Sequence, residues 1–252
     1  MPFTFSHPAI VLPLNRLSKN RISLTALIIG SLTPDFEYFI RMRVLSIYSH
    51  TWSGMFWFDL PLGLVLLIIY NRLIRNKVID RLPRYFNQRL SEFKNERPVS
   101  LGANFIVVVT CLLIGVASHI FWDSFTHPMG YFVKHSHLLS HKIIIKHFPI
   151  PVYSILQQLS SIAGALIIIY AINKLPPGKI TIAKGSTAYW VKIIGISLVI
   201  LVIRFVTGLK LQDYGDAVMS EISGLLIGLL VVSIATPVQQ PQLIPASSNS
   251  TH

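Results

Sequence analysis

Five apolar stretches constrain the fold of this chain more than any other feature of its sequence. They cover residues 55–74, 101–122, 152–173, 190–209 and 216–235. Each is close to the roughly 20 residues that a helix needs to cross a bilayer core of about 30 Å. A helix suits this setting because it satisfies its own backbone hydrogen bonds within lipid. The sequence therefore predicts an all-α integral membrane helical bundle with five transmembrane helices.

The composition points to the same environment. Hydrophobic residues make up 52 % of the chain and charged residues only 13 %, against about 25 % charged residues in an average globular domain. A net charge of +12 would suggest nucleic-acid binding in a soluble protein. Here the basic residues gather between the apolar stretches, so the predicted partner is the lipid bilayer and no nucleic acid is expected.

The loops that carry lysine and arginine predict the orientation of the helices. Eight such residues lie between the first two spans and four between the third and fourth, twelve in all, whereas the opposite loops carry six. Basic short loops stay in the cytoplasm, so we expect a multi-pass protein of the cell (inner) membrane with a cytoplasmic C-terminus. Residues 1–236 then form a single helical membrane domain, and the Ser-, Pro- and Gln-rich residues 237–252 a disordered cytoplasmic tail.

A shorter apolar run precedes the first span at residues 22–32. It is too short to cross the bilayer alone and ends at Thr33-Pro34-Asp35, so a short re-entrant or interfacial helix is expected there. If this run did cross, the protein would have a sixth span. The choice between the two decides on which side of the membrane the N-terminus lies.

The sharpest pattern of chemically active residues stands at the end of the second span. His119, Asp123 and His127 are spaced four residues apart, so on an α-helix they lie on one stripe, about one turn from each other. Two imidazoles and a carboxylate suit Zn²⁺ or another divalent first-row ion and leave positions open for water and substrate. The alternative is that Asp123 orients two interfacial histidines by hydrogen bonds. Polar residues near a bilayer tend to be functional, which favours the metal.

Two other segments reach the same, non-cytoplasmic face in the predicted topology. Taken alone, Asp35 would be interpreted as a helix N-cap and His50 as an ordinary interfacial histidine. Their convergence with Asp123 and His127 makes them candidates to complete the site. Asp59 lies within the first span, where a carboxylate must face protein or a wet cavity. It is a candidate to orient a ligand histidine.

The order of these motifs resembles a known family. The motifs on which this resemblance rests are residues 1–9 (MPFTFSHPA), 29–39 (IGSLTPDFEYF), 49–51 (SHT), 58–63 (FDLPLG) and 122–127 (WDSFTH). They are similar to the uncharacterised multi-pass bacterial membrane family known as domain-of-unknown-function family 4184. This resemblance implies a helical membrane fold and no assigned chemistry.

A looser resemblance is to the membrane-bound metal-dependent hydrolases of the YdjM type. These show, in similar order, an N-terminal His, a Pro-Asp, a further His and a His-x3-Asp-x3-His-like element. The resemblance implies a polar set made of His7, Asp35, His50, His119, Asp123 and His127. The chain departs from the hydrolase pattern at Thr51, in place of Arg, and at Glu37, in place of Asp, which weakens the case for two metals. If His7 joins the set, residues 22–32 cannot cross the membrane.

Two functions from different classes follow. The first is a metal-dependent hydrolase acting at the membrane surface on a phosphoester or lipid headgroup. Its metal ligands would be His119, Asp123 and His127, helped by His50 and His7. Asp35 or Glu37 would be the general base, and zinc is favoured over manganese or iron. The alternative is a non-enzymatic scaffold or small-solute or ion permease, whose buried polar path would comprise Asp59, His119, Asp123 and Glu221.

Overall fold

The computed structural model describes residues 4–16, 22–95, 105–180, 183 and 185–237. Residues 238–252 of the predicted disordered tail lie outside the described residues. Five helical segments are long and apolar enough to cross a membrane: Met55–Ile79, Phe105–His135, Val152–Lys174, Ser186–Val206 and Tyr214–Ala235. The prediction of an all-α membrane helical bundle with five such helices is confirmed.

Helices make up most of the described residues. The α-helices are α1 (Pro8–Val11), α2 (Leu24–Leu32), α3 (Phe36–Arg41), α4 (Leu60–Ile69), α5 (Arg75–Ile79), α6 (Arg84–Leu90), α7 (Phe105–Thr126), α8 (Tyr131–His135), α9 (His137–Ser140), α10 (Val152–Lys174), α11 (Ser186–Val206) and α12 (Tyr214–Ala235). Tighter 3-10 turns cover Thr4–Ser6, Leu12–Arg16, Thr33–Asp35 and Ser91–Asn95. Wider π-helical turns flank α4 at Met55–Asp59 and Tyr70–Ile74.

One small hairpin interrupts the helical pattern. Strands β1 (Lys142–Ile145) and β2 (Phe148–Pro151) pair antiparallel. The two turn residues, Lys146 and His147, have φ of 46° and 72°, the positive values of the two-residue turn that matches strand twist. The sequence analysis did not predict this hairpin, because its two strands have only four residues each and stand among lysines and histidines.

The contacts divide the chain into two compact units. Unit 1 contains Met1–Ile68 and Val99–Ala171, and unit 2 contains Ile69–Pro98 and Ile172–His252. Unit 1 holds nearly every residue of the predicted polar site. Unit 2 holds α11 and α12 together with the basic segment that follows the first span.

In unit 1, α2 packs closely against α7 because glycines remove the side chains between them. A Cβ placed on Gly30 would lie 2.3 Å from the carbonyl oxygen of Leu112, and one on Gly115 would lie 2.4 Å from that of Leu27. Small residues that let two backbones approach are typical of helix contacts in membranes. This contact fixes where the C-terminal end of α2 meets α7.

The first residues described, around Thr4, and the end of α2 lie next to each other beside α7. At the start of α2, the amide of Ser23 donates to Sγ of Cys111, 3.4 Å away, in the first half of α7. Past the end of α2, the hydroxyl of Thr4 donates to Oδ2 of Asp35 at 2.5 Å. Thr4 and Asp35 therefore lie side by side, as the re-entrant alternative for residues 22–32 expects.

Unit 2 is organised around the pair α11 and α12. Gly224 and Gly228, four residues apart on α12, bring the two backbones together: a Cβ on each would lie 2.8 Å from Oγ of Ser197 and 2.7 Å from the carbonyl oxygen of Ile193. The basic segment after the first span is tied to the same unit, since Nε1 of Trp190 donates to the Arg81 carbonyl oxygen at 2.9 Å.

Candidate metal site

Four side chains from three chain segments converge in unit 1. Asp35 comes from the 3-10 turn after α2, His50 from the loop that precedes the first span, and His119 and Asp123 from α7. One nitrogen or oxygen of each lies within 4.8 Å of those of the other three. We call these four residues the metal-site quartet. All but His50 are buried, and His50 is partly exposed.

Five of the six separations between the quartet atoms are close to those between ligand atoms around a tetrahedrally coordinated ion. Nε2 of His119 lies 3.2 Å from Oδ2 of Asp123 and 3.5 Å from Oδ1 of Asp35. Nε2 of His50 lies 3.4 Å from each of those oxygens and 3.3 Å from Nε2 of His119. A tetrahedral zinc ion with bonds of about 2.0–2.1 Å holds its ligand atoms about 3.3–3.4 Å apart. The five distances all fall close to that value.

Hydrogen bonding does not account for this cluster. N–H···O hydrogen bonds are usually about 2.7–3.2 Å long, shorter than most of these separations. Among the described residues, neither carboxylate oxygen of Asp123 has a hydrogen-bond partner, although both are buried. A buried polar group without a partner is costly. A cation bound between the four atoms would satisfy it, so the donor set fits a metal.

A hydrogen bond to the backbone orients His119. Its Nδ1 lies 2.7 Å from the carbonyl oxygen of Ser31 at the end of α2. A carbonyl can only accept, so Nδ1 carries a proton, and in the neutral ring Nε2 is the nitrogen with the lone pair that faces the quartet. Metal-binding histidines are commonly held in this way, with the second ring nitrogen donating to a carbonyl or carboxylate. The close packing of α2 on α7 thus selects the tautomer that binds metal.

Glu37 holds the loop that carries His50. Its carboxylate accepts hydrogen bonds from the backbone amides of Ile47, Tyr48 and Ser49 at 2.8–2.9 Å, and from Nε of Arg41 at 2.8 Å. Burial raises the pKa of Glu37, but these hydrogen bonds lower it by more, so the net pKa is about 2 instead of the usual 4.5. The loop stabilisation is therefore complete above pH 4.5 and is lost as the pH falls towards 2.

His50 itself is fixed by its neighbours in that loop. It adopts a left-handed backbone conformation, with φ of 58°, which is uncommon for a residue with a side chain. Its Nδ1 lies 2.9 Å from Oγ of Ser49 and 3.2 Å from Oγ of Ser46. Nε2 is thereby directed to Asp35 and Asp123.

Asp35 enters the quartet as a carboxylate. Thr4 donates to one of its oxygens, and the other faces His50 and His119. Burial raises the pKa of Asp35, but His119 and His50 lower it by more, so the net pKa is below the usual range. The oxygen facing the histidines is therefore charged and able to bind a cation. Sequence reasoning had predicted Asp35 as a general base.

Two further predicted ligands border the quartet without joining it. The ring of His7 stacks on that of His119 with centroids 3.8 Å apart, and its Nε2 lies 3.6 Å from Oδ1 of Asp123. Nδ1 of His127 lies 3.3 Å from Oδ2 of Asp123. In the part of the chain that the structure describes, no ring nitrogen of either histidine has a hydrogen-bond partner. Burial, with His119 adding to it, lowers the pKa of His7 to about 3, so its ring is neutral.

A comparison with known families identifies the family of this chain. The family model described as Domain of unknown function (DUF4184) matches residues 1–234. The chain belongs to this family. No curated protein and no solved structure matches it. The family therefore covers both units and every residue of the quartet, and it carries no assigned activity.

Several supporting residues of this DUF4184 protein were missed by sequence reasoning. Thr4, Ser31, Ser46 and Ser49 contact Asp35, His119 or His50. All four are serines or threonines, and all but Ser46 lie within the family-like motifs. Their residue type alone does not indicate a role, because serines and threonines are common near helix ends. Ser31 acts through its backbone carbonyl, which no side-chain pattern could reveal.

Asp59 faces protein, as predicted, but does not hydrogen-bond a ligand histidine among the described residues. It is fully buried at the end of the π-helical turn Met55–Asp59. Within the described segments, neither of its oxygens has a hydrogen-bond partner, so no hydrogen bond joins it to a ligand histidine. A π-helical turn often marks a functional position in a helix.

Proposed function

We propose that this multi-pass membrane protein binds one divalent ion, with zinc favoured over manganese or iron, and uses it to hydrolyse a phosphoester or lipid headgroup at the membrane surface. The observation that carries the proposal is the quartet: both histidines lie 3.2–3.4 Å from Oδ2 of Asp123, whose oxygens have no hydrogen-bond partner among the described residues. The order of the motifs, which resembles that of membrane-bound metal-dependent hydrolases, adds support.

The donor set favours zinc. Two imidazole nitrogens and two carboxylate oxygens suit several first-row ions, but distances near 3.3 Å match the short bonds and tetrahedral geometry of zinc. The only cysteine, Cys111, contacts Ser23 and stands apart from the quartet. Bound Zn²⁺ would lower the pKa of a coordinated water towards neutrality and polarise a phosphoryl oxygen.

The two bordering histidines favour a catalytic site over a purely structural one. A closed structural site needs no spare imidazoles, whereas His7 and His127 stand beside the quartet with free ring nitrogens. In phosphoester hydrolysis, water oxygen bonds to phosphorus as the bond to the leaving oxygen breaks. His127, which is partly exposed, would accept the water proton and return one to the leaving oxygen.

Two of the predicted catalytic residues take other roles in this proposal. Asp35 acts as a metal ligand, because its free oxygen faces both quartet histidines. Glu37 acts as a positioning residue, because both of its oxygens accept hydrogen bonds from the loop that carries His50.

The orientation completes the proposal. In this proposal the C-terminus is cytoplasmic and the quartet lies on the non-cytoplasmic face of the inner membrane. Twelve lysines and arginines between alternate spans, against six on the opposite loops, support that orientation.

Metal content tests the proposal directly. Protein purified without chelator is expected to hold about one zinc per chain by elemental analysis, as a four-ligand site requires. H119A/D123A is expected to hold none. H135A/H137A is the matched control, because both of these histidines are exposed and lie outside the quartet. Metal-free wild-type protein that also fails to bind added zinc, manganese or iron would exclude the proposal.

A second candidate function is a permease for protons or small cations. Asp59 favours it, because a buried carboxylate without a partner inside a membrane helix is typical of ion pathways. In proteoliposome flux assays, this function predicts that Asp59→Asn abolishes transport while His50→Ala leaves most of it. An effect of His50→Ala alone would support the metal site instead.

A further inference from the structure

A cavity of about 390 Å³ opens beside the quartet in unit 1. Its walls are the N-terminal turn around His7, Trp122 of α7 and one face of α10 from Leu156 to Ile167. This volume is within the range of about 300–1,000 Å³ typical of ligand sites. Most of the lining side chains are apolar, so the cavity suits an apolar occupant.

Two walls of this cavity, the N-terminal turn and α10, are in direct contact. The hydroxyl of Ser6 donates to the carbonyl oxygen of Ser161 at 2.8 Å. A Cβ on Gly164 would lie 2.8 Å from both Cβ and the carbonyl oxygen of Ser6. The N-terminal turn is therefore seated directly on α10, and the glycine is needed for that contact. The cavity is the space left beside a close helix contact.

His7 connects the cavity to the quartet. It lines the cavity, its side chain is 1 % exposed, and neither ring nitrogen has a hydrogen-bond partner among the described residues. The opposite side of the same ring stacks on His119. A molecule in the cavity would therefore have its polar end next to the metal site.

The outer side of the cavity faces lipid. Leu159 and Ile167 are 60 % and 49 % exposed on a helix that is apolar enough to cross the membrane. The twelve residues from Leu156 to Ile167 extend about 16 Å along the helix, roughly half of the 30 Å hydrocarbon core. This is the depth of one leaflet, in which lipid chains lie.

We infer that this cavity holds the hydrocarbon chain of a lipid phosphate whose head group lies at the quartet. The inference rests on the proposed function and names its substrate class. An apolar groove open to one leaflet admits a chain, and a divalent ion at the quartet would attract a phosphate. Hydrolysis releases inorganic phosphate or a phosphorylated head group and leaves the chain-bearing alcohol in the groove.

A pair of alanines on α10 tests the inference. Ala163 is exposed and lines the cavity, whereas Ala165, two residues on, does not line it. Ala163→Phe fills the groove, and Ala165→Phe is its matched control. Radiolabelled dioleoyl phosphatidic acid would be bound to purified protein in detergent, with glycerol 3-phosphate as the chain-free probe and zinc content measured on each sample.

The expected result separates the chain from the head group. Ala163→Phe is expected to weaken phosphatidic acid binding at least about tenfold, because each methylene kept out of an apolar site weakens binding severalfold. It should leave zinc content and glycerol 3-phosphate hydrolysis unchanged, and Ala165→Phe should match wild type throughout. Equal phosphatidic acid binding in all three proteins, with zinc present, would overturn the inference and leave the proposed function standing.

Failure of the proposed function has a different signature. Absence of zinc and turnover from every protein, with phosphatidic acid binding lost only in Ala163→Phe, would establish a lipid site without hydrolysis. If Ala163→Phe does not fold, photolabelling of wild type with phosphatidic acid carrying a mid-chain diazirine replaces it. Labels within residues 156–167 and on Trp122 support the groove, and labels spread evenly over α10, α11 and α12 overturn it.

Discussion

Unit 1 and unit 2 treat their buried polar side chains in opposite ways. In unit 2 the hydroxyl of Ser233 hydrogen-bonds the hydroxyl of Tyr189 at 2.7 Å, and that of Ser197 donates to Oε1 of Glu221 at 2.8 Å. Ser223 donates to a carbonyl oxygen one turn earlier on α12. The first two of these hydrogen bonds join α11 to α12, and the third lies within α12.

In unit 1, several buried polar atoms at the quartet and beside it have no hydrogen-bond partner among the described residues. Both oxygens of Asp123 and both ring nitrogens of His7 and His127 lack hydrogen-bond partners among the described residues. Unit 2 also contains open atoms, Oε2 of Glu221 and two nitrogens of Arg89. They do not converge with other ligating atoms, and the Arg89 guanidinium lies over the ring of Tyr85, 3.9 Å from its centre.

The difference teaches how to separate structural from functional polarity in a membrane protein. Buried polar groups are normally hydrogen-bonded, and a set that is open on several sides of one point implies a missing ligand. Buried serines alone, which both units contain, do not distinguish the two cases.

Asp123→Asn should break the contrast most strongly. We expect zinc affinity to fall by more than about a hundredfold, beyond the loss typical of supporting residues. The metal-free variant should also unfold at a lower temperature than metal-free wild type, because Asn cannot form the ion pairs that Asp123 makes with His50 and His119. In unit 2, Ser233→Ala should lower stability by about 1 kcal/mol and leave zinc affinity unchanged. Isothermal titration calorimetry with zinc and thermal unfolding in detergent measure these effects. Equal zinc affinity in Asp123→Asn and wild type would contradict the contrast.

Glu37→Gln tests the loop that presents His50. We expect zinc affinity to fall about 10- to 100-fold, the usual cost of losing a residue that orients a metal ligand. Excess zinc should restore most of the activity, since the ligands remain. The readout is activity against zinc concentration, with Glu92→Gln in unit 2 as the matched control. Loss of turnover that saturating zinc cannot restore, with unchanged zinc affinity, would instead identify Glu37 as a general base.

Glycine substitutions give the smallest effect on zinc and sharpen the comparison. Gly115→Ala and Gly228→Ala should each destabilise by about 1–3 kcal/mol through overpacking. Only Gly115→Ala should also weaken zinc binding, by less than about tenfold, because it displaces α2 and the carbonyl oxygen that orients His119. Gly195→Ala is the control, since no atom lies within 4 Å of its added Cβ. Thermal unfolding and zinc titration of the three proteins check this, and equal loss of zinc affinity at Gly115 and Gly228 would contradict it.

The sequence by itself determined the parts of this protein that depend on local pattern. Length and hydropathy identified all five membrane-crossing helices, because the thickness of a bilayer sets the length of a spanning helix. Helical periodicity placed His119 and Asp123 on one face of α7, since residues four apart on a helix lie on the same stripe.

Only the tertiary structure decided which residues meet. The glycine contact between α2 and α7 brings Ser31 and Asp35 to His119, and the Glu37 loop brings in His50. The same packing leaves His7 and His127 at the border of the quartet. Such placements depend on contacts between segments far apart in the chain, and a single sequence contains no periodicity that encodes them.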